Sequence, residues 1–285
     1  MSNALRTLLE GIVDYAGLFP PAALDLPSAA RNYHAYRSSD DAWMLGRFVV
    51  GVSKLPELRA TVATLRAKDA WPVSVVAPDA AAATSVLRAA DDASIRIESI
   101  EVRAGTVAEV NLLARAAPKT RDVYVEVPPD GSALALLDAI RDAKLRAKIR
   151  TGGVTADAFP QAAAIVSFMR ACLDRNLPFK ATAGLHHPLR GSYRLTYDAP
   201  AVGDMYGYLN VFLAAAFMRE GLDDKAASEL LLEAVSSAIV VEDDRIRWRD
   251  REIGIEAIKT VRARVATSFG SCSFREPVDE LPYRS

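Results

Sequence analysis

Several short stretches of this chain place reactive residue types beside neighbours that would alter their chemistry. In Phe179-Lys180-Ala181-Thr182-Ala183-Gly184 a lysine stands among apolar residues. Burial and a nearby second cation both penalise an ammonium, so Lys180 is expected to have a lowered pKa and to act as a nucleophilic amine. A salt-bridged structural lysine is the alternative. His186-His187-Pro188 follows and holds two of the chain's three histidines. Imidazole titrates near neutrality, which suits His186 or His187 to proton transfer or substrate contact. A metal there would need a distant partner such as Glu126 or Glu101. Arg150-Thr151-Gly152-Gly153 joins a guanidinium fork for a carboxylate or phosphate to two glycines that permit close backbone approach. A helix opened by Thr155 would add free N–H groups and a partial positive charge. The bland alternative is a tight turn that needs positive φ.

Three further stretches carry weaker signals. Asp14-Tyr15, ahead of Phe19-Pro20-Pro21, would line a pocket or pack as an N-terminal turn. Asn210 opens an apolar helical run and is expected to make a buried polar contact, to ligand or to backbone. Cys272 has no base beside it in sequence, so its standing as a nucleophile is low.

The elements that must position these residues alternate regularly. Strand-like runs are 48–52, 73–77, 95–102, 123–127, 147–151 and 179–183. Between them, 56–68, 79–90, 107–116, 132–144 and 155–175 have helical periodicity and begin near Pro, Asp, Ser or Thr. Strands alternating with helices mean βαβ units and a parallel sheet. Residues 11–17 and 268–274 supply the two strands that complete eight. A turn and a helix at 27–36 follow the first, and a helix at 255–265 precedes the last. The expected fold is therefore α/β, a (β/α)8 TIM-like barrel over residues 1–285 as one domain. Extra elements near the C-terminus are a buried helix at 206–219, a helix at 225–237 capped by Asp223 and a small hairpin at 240–248. A doubly wound open sheet is the alternative, but it lacks a glycine-rich first turn.

Alternation along a strand assigns faces. Val123, Val125 and Val127 form an apolar stripe, leaving Tyr124 and Glu126 for the interior. By the same parity Ser99 with Glu101, Lys148 with Arg150, and Lys180 with Thr182 face inward. Consecutive strands thus aim ionisable groups into one cavity near their C-terminal ends, where parallel barrels hold their active sites. The basic groups outnumber the acids, a surplus that an anionic ligand would neutralise. A structural ion-pair network is the alternative.

Lys180, Lys148, Glu126 and the Gly152-Gly153 turn resemble the class I aldolase group of barrels, at the level of the strand pattern. That resemblance implies an imine on Lys180, a pKa lowered by Lys148, and Glu126 as proton shuttle.

The bulk composition narrows the field. In 285 residues, 35 Lys and Arg balance 36 Asp and Glu, giving a net charge of −1, so a nucleic-acid partner is not expected. Two cysteines a hundred residues apart suit a reducing compartment, and no apolar run reaches membrane-span length, so the cytoplasm is the expected location. Walker A, strand-linked GxGxxG, GxSxG, HExxH and CxxC signatures are all missing, and no cofactor is expected. The leading expectation is a metal-independent lyase or aldolase acting on an anionic carbonyl compound, in a homo-oligomer. The alternatives are a metal-dependent lyase, isomerase or hydrolase using the His186-His187 loop, and a non-catalytic ligand-binding barrel.

Overall fold

The computed structural model describes residues 1–128 and 133–283. After helix α1 (Asn3–Leu9), the barrel begins with β1 (Val13–Tyr15), α2 (Leu26–Tyr36), β2 (Leu45–Gly51), α3 (Leu55–Thr64) and β3 (Trp71–Ala77). It continues with α4 (Ala80–Leu87), β4 (Ile95–Arg103), α5 (Val107–Ala116), β5 (Asp122–Glu126), α6 (Leu134–Asp142) and β6 (Arg146–Arg150). Then follow α7 (Ala162–Asp174), β7 (Phe179–Thr182) and an antiparallel hairpin, β8 (Gly191–Arg194) with β9 (Val202–Met205). Helices α8 (Tyr208–Arg219) and α9 (Asp224–Leu231) lead into β10 (Ile239–Val241), β11 (Arg245–Trp248) and β12 (Arg251–Gly254). Helix α10 (Ile255–Arg264), strand β13 (Ala266–Ser271) and α11 (Arg275–Asp279) complete the order. Strands β1 to β7 and β13 close on themselves, all parallel, with β13 seated between β7 and β1. The expected eight-stranded barrel is what forms.

Side-chain caps account for several helix starts. Asp25, Asp79 and Asp223 each accept from a backbone N–H three residues on, and Thr106 with Glu109 forms a reciprocal capping box. Ser132, the expected start of α6, lies outside the described residues. The expected helix from Thr155 divides instead. A single 3-10 turn, Ala156–Ala158, is followed by extended Phe159, and α7 opens only at Ala162. Pro160 is the reason: it has no N–H to donate and disfavours a helical residue before it. The C-terminal hairpin proves to be a three-stranded sheet, β10-β11-β12, while α9 ends six residues before the expected 237. Helix α8 is buried along its length, as its uniformly apolar sequence requires.

The inward parity of Glu101, Glu126, Lys148 and Lys180 holds, while register shifts interrupt strict alternation on β4 and β13. Valines 123 and 125 are buried in the apolar layer, while the interior holds two tiers of charged side chains. At the floor, Asp122 pairs with Arg146 at 2.7 Å and Arg47 at 3.8 Å. The acids and lysines singled out by alternation lie above them. Among the described residues no helix is long and apolar enough to cross a membrane.

Candidate active site

Strand register sets the central tier. Glu126 on β5 stands opposite Lys148 on β6, which stands opposite Lys180 on β7. Glu101, on β4, reaches between both lysines. Its carboxylate accepts from Lys148 Nζ at 3.0 Å and from Lys180 Nζ at 2.5 Å. Lys148 also donates to Glu126 at 3.0 Å, and Lys180 to Asp14 Oδ2 at 2.6 Å. The result is an unbroken chain, Asp14–Lys180–Glu101–Lys148–Glu126, that ends in Arg103 bound to Glu126 at 2.9 Å.

Hydrogen bonds from neutral groups hold the acids in place. Ser74 donates to Glu101 and is itself bonded to Ser99, so the inward serine of β4 supports the cluster. Asp14 also accepts from Ser268 Oγ at 2.9 Å and from the Arg47 backbone N–H at 2.8 Å. Gly46 makes that last approach possible, because a Cβ there would sit 2.5 Å from Asp14 Oδ1.

Charge pairing decides the protonation states. Burial favours neutral Glu101, but the Lys180 and Lys148 ammoniums outweigh it and hold the carboxyl well below its usual range. Burial likewise opposes the charge on Glu126, yet Lys148 and Arg103 keep its pKa lowered. For Lys180 burial would lower the pKa, but Asp14 and Glu101 reverse this and push it up to about 12. The expected lowering at Lys180 is thus corrected: the cation next to it is screened by Glu101, and two carboxylates face the amine directly. The expected positive surplus disappears in this tier for the same reason, since Asp14, Glu101 and Glu126 offset Lys180, Lys148 and Arg103.

Above the tier lies a cavity of about 520 Å³ at the C-terminal mouth. Lys148, Glu101, Glu126, Arg103, Arg150, His186 and Cys272 supply its ionisable lining, against an apolar wall that includes Phe19, Pro20 and Val76. Lys180 does not reach the cavity. It sits one residue into β7, two below Thr182, which does line it, and it is wholly buried. Arg150 is exposed and pairs with no carboxylate among the described residues, so its fork stays available at the mouth.

The other expected site residues divide. Gly153 lines the cavity, but Gly152 serves packing: a Cβ there would meet the Phe159 ring at 2.3 Å. Neither glycine has positive φ and no α-helix starts at Thr155, so the expected helix-terminus anion site does not form. Thr151 is buried, its hydroxyl donating to the Ala183 carbonyl at 2.8 Å and tying β6 to the end of β7. Tyr15 follows Asp14 in alternation and so points outward, into a cluster with Tyr33, Tyr36 and Phe48. Asn210 accepts from the Arg190 N–H and donates to the Leu230 and Glu233 carbonyls, which makes it a backbone clamp away from the cavity. His187 leaves the cavity too: its Nδ1 lies 2.6 Å from Glu280 and its ring stacks on Tyr193.

His186 does line the cavity. Its Nδ1 faces Ser271 Oγ at 3.2 Å, Glu276 Oε2 at 3.5 Å and Cys272 Sγ at 3.8 Å. Burial would lower its pKa, but the contacts with Cys272 and Glu276 raise it to about 9. Cys272 therefore has the neighbouring base that its local sequence lacks. Arg103 also escaped the sequence reading, although the parity that turns Glu101 inward applies to it two residues later. Among the described residues no three His, Cys, Asp or Glu side chains gather as a metal site. No family model matches the chain, and a search of curated proteins finds no match.

Proposed function

We propose that the protein is a metal-independent lyase of aldolase type that makes or breaks a bond next to the carbonyl of a small anionic molecule. In this reading the reaction passes through an enolate, with Lys148 as its electrostatic anchor. The observation that carries it is Lys148 Nζ at 3.0 Å from both Glu101 and Glu126, on the lining of the cavity. An ammonium pinned between two carboxylates is a fixed positive charge, already oriented before an oxyanion develops beside it. Such preorganised charge in a water-poor pocket is the largest single contribution in many enzymes.

Glu126 is the proton carrier in this scheme. Its lowered pKa leaves it ionised and ready to accept a proton from the carbon next to the carbonyl. A substrate oxyanion that draws Lys148 and Arg103 towards itself weakens their hold on Glu126 and makes it a stronger base. Arg150 takes the substrate's carboxylate or phosphate, and the apolar wall accepts its carbon skeleton. The imine route of the class I aldolases is the weaker fit, because Lys180 is charged, buried and out of reach of the cavity.

Proton NMR in D2O tests the proposal with 2-oxo acids, hydroxy-oxo acids and phosphorylated aldehydes. The wild type should wash out the proton next to the carbonyl of at least one of them. Glu126→Gln and Lys148→Met should slow that exchange by roughly 100- to 10,000-fold while leaving the circular dichroism unchanged. A borohydride-trapped adduct on either lysine, or no exchange and no cleavage across the panel, would overturn it.

A further inference from the structure

The cavity holds a second reactive group that the enolate scheme does not use. Cys272 is the first residue beyond β13, and His186 lies in the loop after the neighbouring strand β7. Both line the cavity. Sγ lies 3.8 Å from His186 Nδ1 and 3.6 Å from the Tyr197 hydroxyl. Tyr197 donates to Glu276 Oε2 at 3.1 Å, and that same oxygen is 3.5 Å from His186 Nδ1. His186 is 7% exposed, and the Nε2 edge of its ring has no hydrogen-bond partner among the described residues. The titratable groups facing the pair are Glu276 and Tyr197, with His187 acting on Glu276 and Tyr15 behind the thiol. Glu276 favours a charged imidazole, and the imidazolium in turn favours a thiolate. Cys172 provides the contrast: it is buried in α7, where loss of hydration raises its thiol pKa and leaves it inert.

We propose that Cys272 and His186 form a thiolate–imidazolium pair on the cavity wall, a nucleophilic site for the carbonyl carbon of an anionic aldehyde. The proposal deepens the reading of this cavity as a carbonyl site and rests on it for the class of ligand. In the step, the thiol proton passes to His186 and the thiolate adds to the carbonyl carbon, forming a C–S bond. The π pair moves onto the oxygen, which takes the proton from the imidazolium. The product is a hemithioacetal, with no oxidant and no leaving group, and the reverse sequence releases the aldehyde. Arg103 and Arg150, on the same cavity, supply the attraction for the anionic end.

Alkylation with iodoacetamide and iodoacetate, read by peptide mass spectrometry, tests the pair without requiring turnover. It therefore reports on the thiolate even if no carbonyl compound exchanges a proton. One label is expected, on Cys272, with a rate that reaches half its maximum below the ordinary thiol pKa of about 8.5. Iodoacetate should be favoured relative to its preference for a free thiol. His186→Gln should move the rate profile upward by about one pH unit or more. Should that variant misfold, the thiolate ultraviolet absorbance of the wild type, referenced to Cys272→Ser, gives the same titration. Labelling of Cys172 first, or a Cys272 profile like that of a free thiol, overturns the pair. With ¹³C-labelled glyoxylate, a hemithioacetal carbon signal that Cys272→Ser abolishes is expected; its absence while the labelling results support the pair overturns the assigned ligand class.

Discussion

Lys180 Nζ lies 2.6 Å from Asp14 Oδ2, and both side chains are wholly buried. Their strands are not neighbours. Strand β13 runs between β7 and β1, and its Ser268 donates to the same Asp14 oxygen. The ion pair therefore ties together three strands on the side of the barrel where the first and last strands meet. Removing the cation would strip Asp14 of its buried lysine partner and leave Glu101 with Lys148 alone. Lys180→Met should lower the unfolding free energy by about 3–5 kcal/mol, measured as a fall in the urea midpoint at unchanged slope. A variant of wild-type stability would mean that water or rearrangement replaces the tie.

The pH dependence of stability follows from the same chain, with opposite signs at its two ends. Glu101 has a folded pKa held below its unfolded value, so its contribution is complete above about pH 4.5 and fades as pH falls below that. Lys180 has a folded pKa raised to about 12 from 10.5, so its contribution is complete below about 10.5 and lost as pH rises through 12. Urea titrations across pH should show decline at both extremes. Glu101→Gln should shrink the acid limb, leaving the part that belongs to the other carboxylates held low on folding, Glu126 and Glu276 among them.

His186 adds a window between those limits. Its pKa rises from 6.5 to about 9 on folding, so its contribution is complete below about 6.5 and is lost as pH climbs through 9. His186→Gln should flatten that part of the profile. A slope that survives the substitution would assign the titration to another group.

Parity along strands was the most readable part of the site. Period-two alternation turns Glu101, Glu126, Lys148 and Lys180 inward, because the apolar residues that flank them face the helices. Depth along the barrel axis carries no such periodic mark, so sequence alone does not place Lys180 below the cavity. Pairing was hidden too. Asp14 precedes Lys180 by 166 positions, and only closure of the barrel brings the two together. The β8–β9 hairpin lacks the apolar run that marks a buried strand, so its sequence does not announce it. Cys272 and His186 meet because β13 and β7 are spatial neighbours, an adjacency that no local motif announces.

Arg150 is the group best placed to report on the charge of the substrate. It sits exposed at the last position of β6, lines the cavity and holds no carboxylate of its own among the described residues. Arg150→Ala should raise KM by roughly tenfold or more for an anionic substrate, the value of a charge-assisted hydrogen bond, with little change in kcat. Equal effects on a neutral analogue would count against anion recognition.

Gly152 tests whether the glycine pair serves packing or ligand approach. Its would-be Cβ falls 2.3 Å from Phe159 Cε1, and the same ring lies 2.8 Å from the Cβ position of Gly184. Phe159 is thus clamped between the ends of β6 and β7, just before the Pro160 break. A methyl at 152 must push the ring away or shift the loop. Gly152→Ala should destabilise the protein by about 1–3 kcal/mol, the usual range for overpacking. Combining it with Phe159→Ala should recover part of that loss, since the small side chain vacates the space the methyl needs. In urea denaturation the two changes should therefore be strongly non-additive. If they add instead, the cost at 152 arises from backbone strain and the ring is only a bystander.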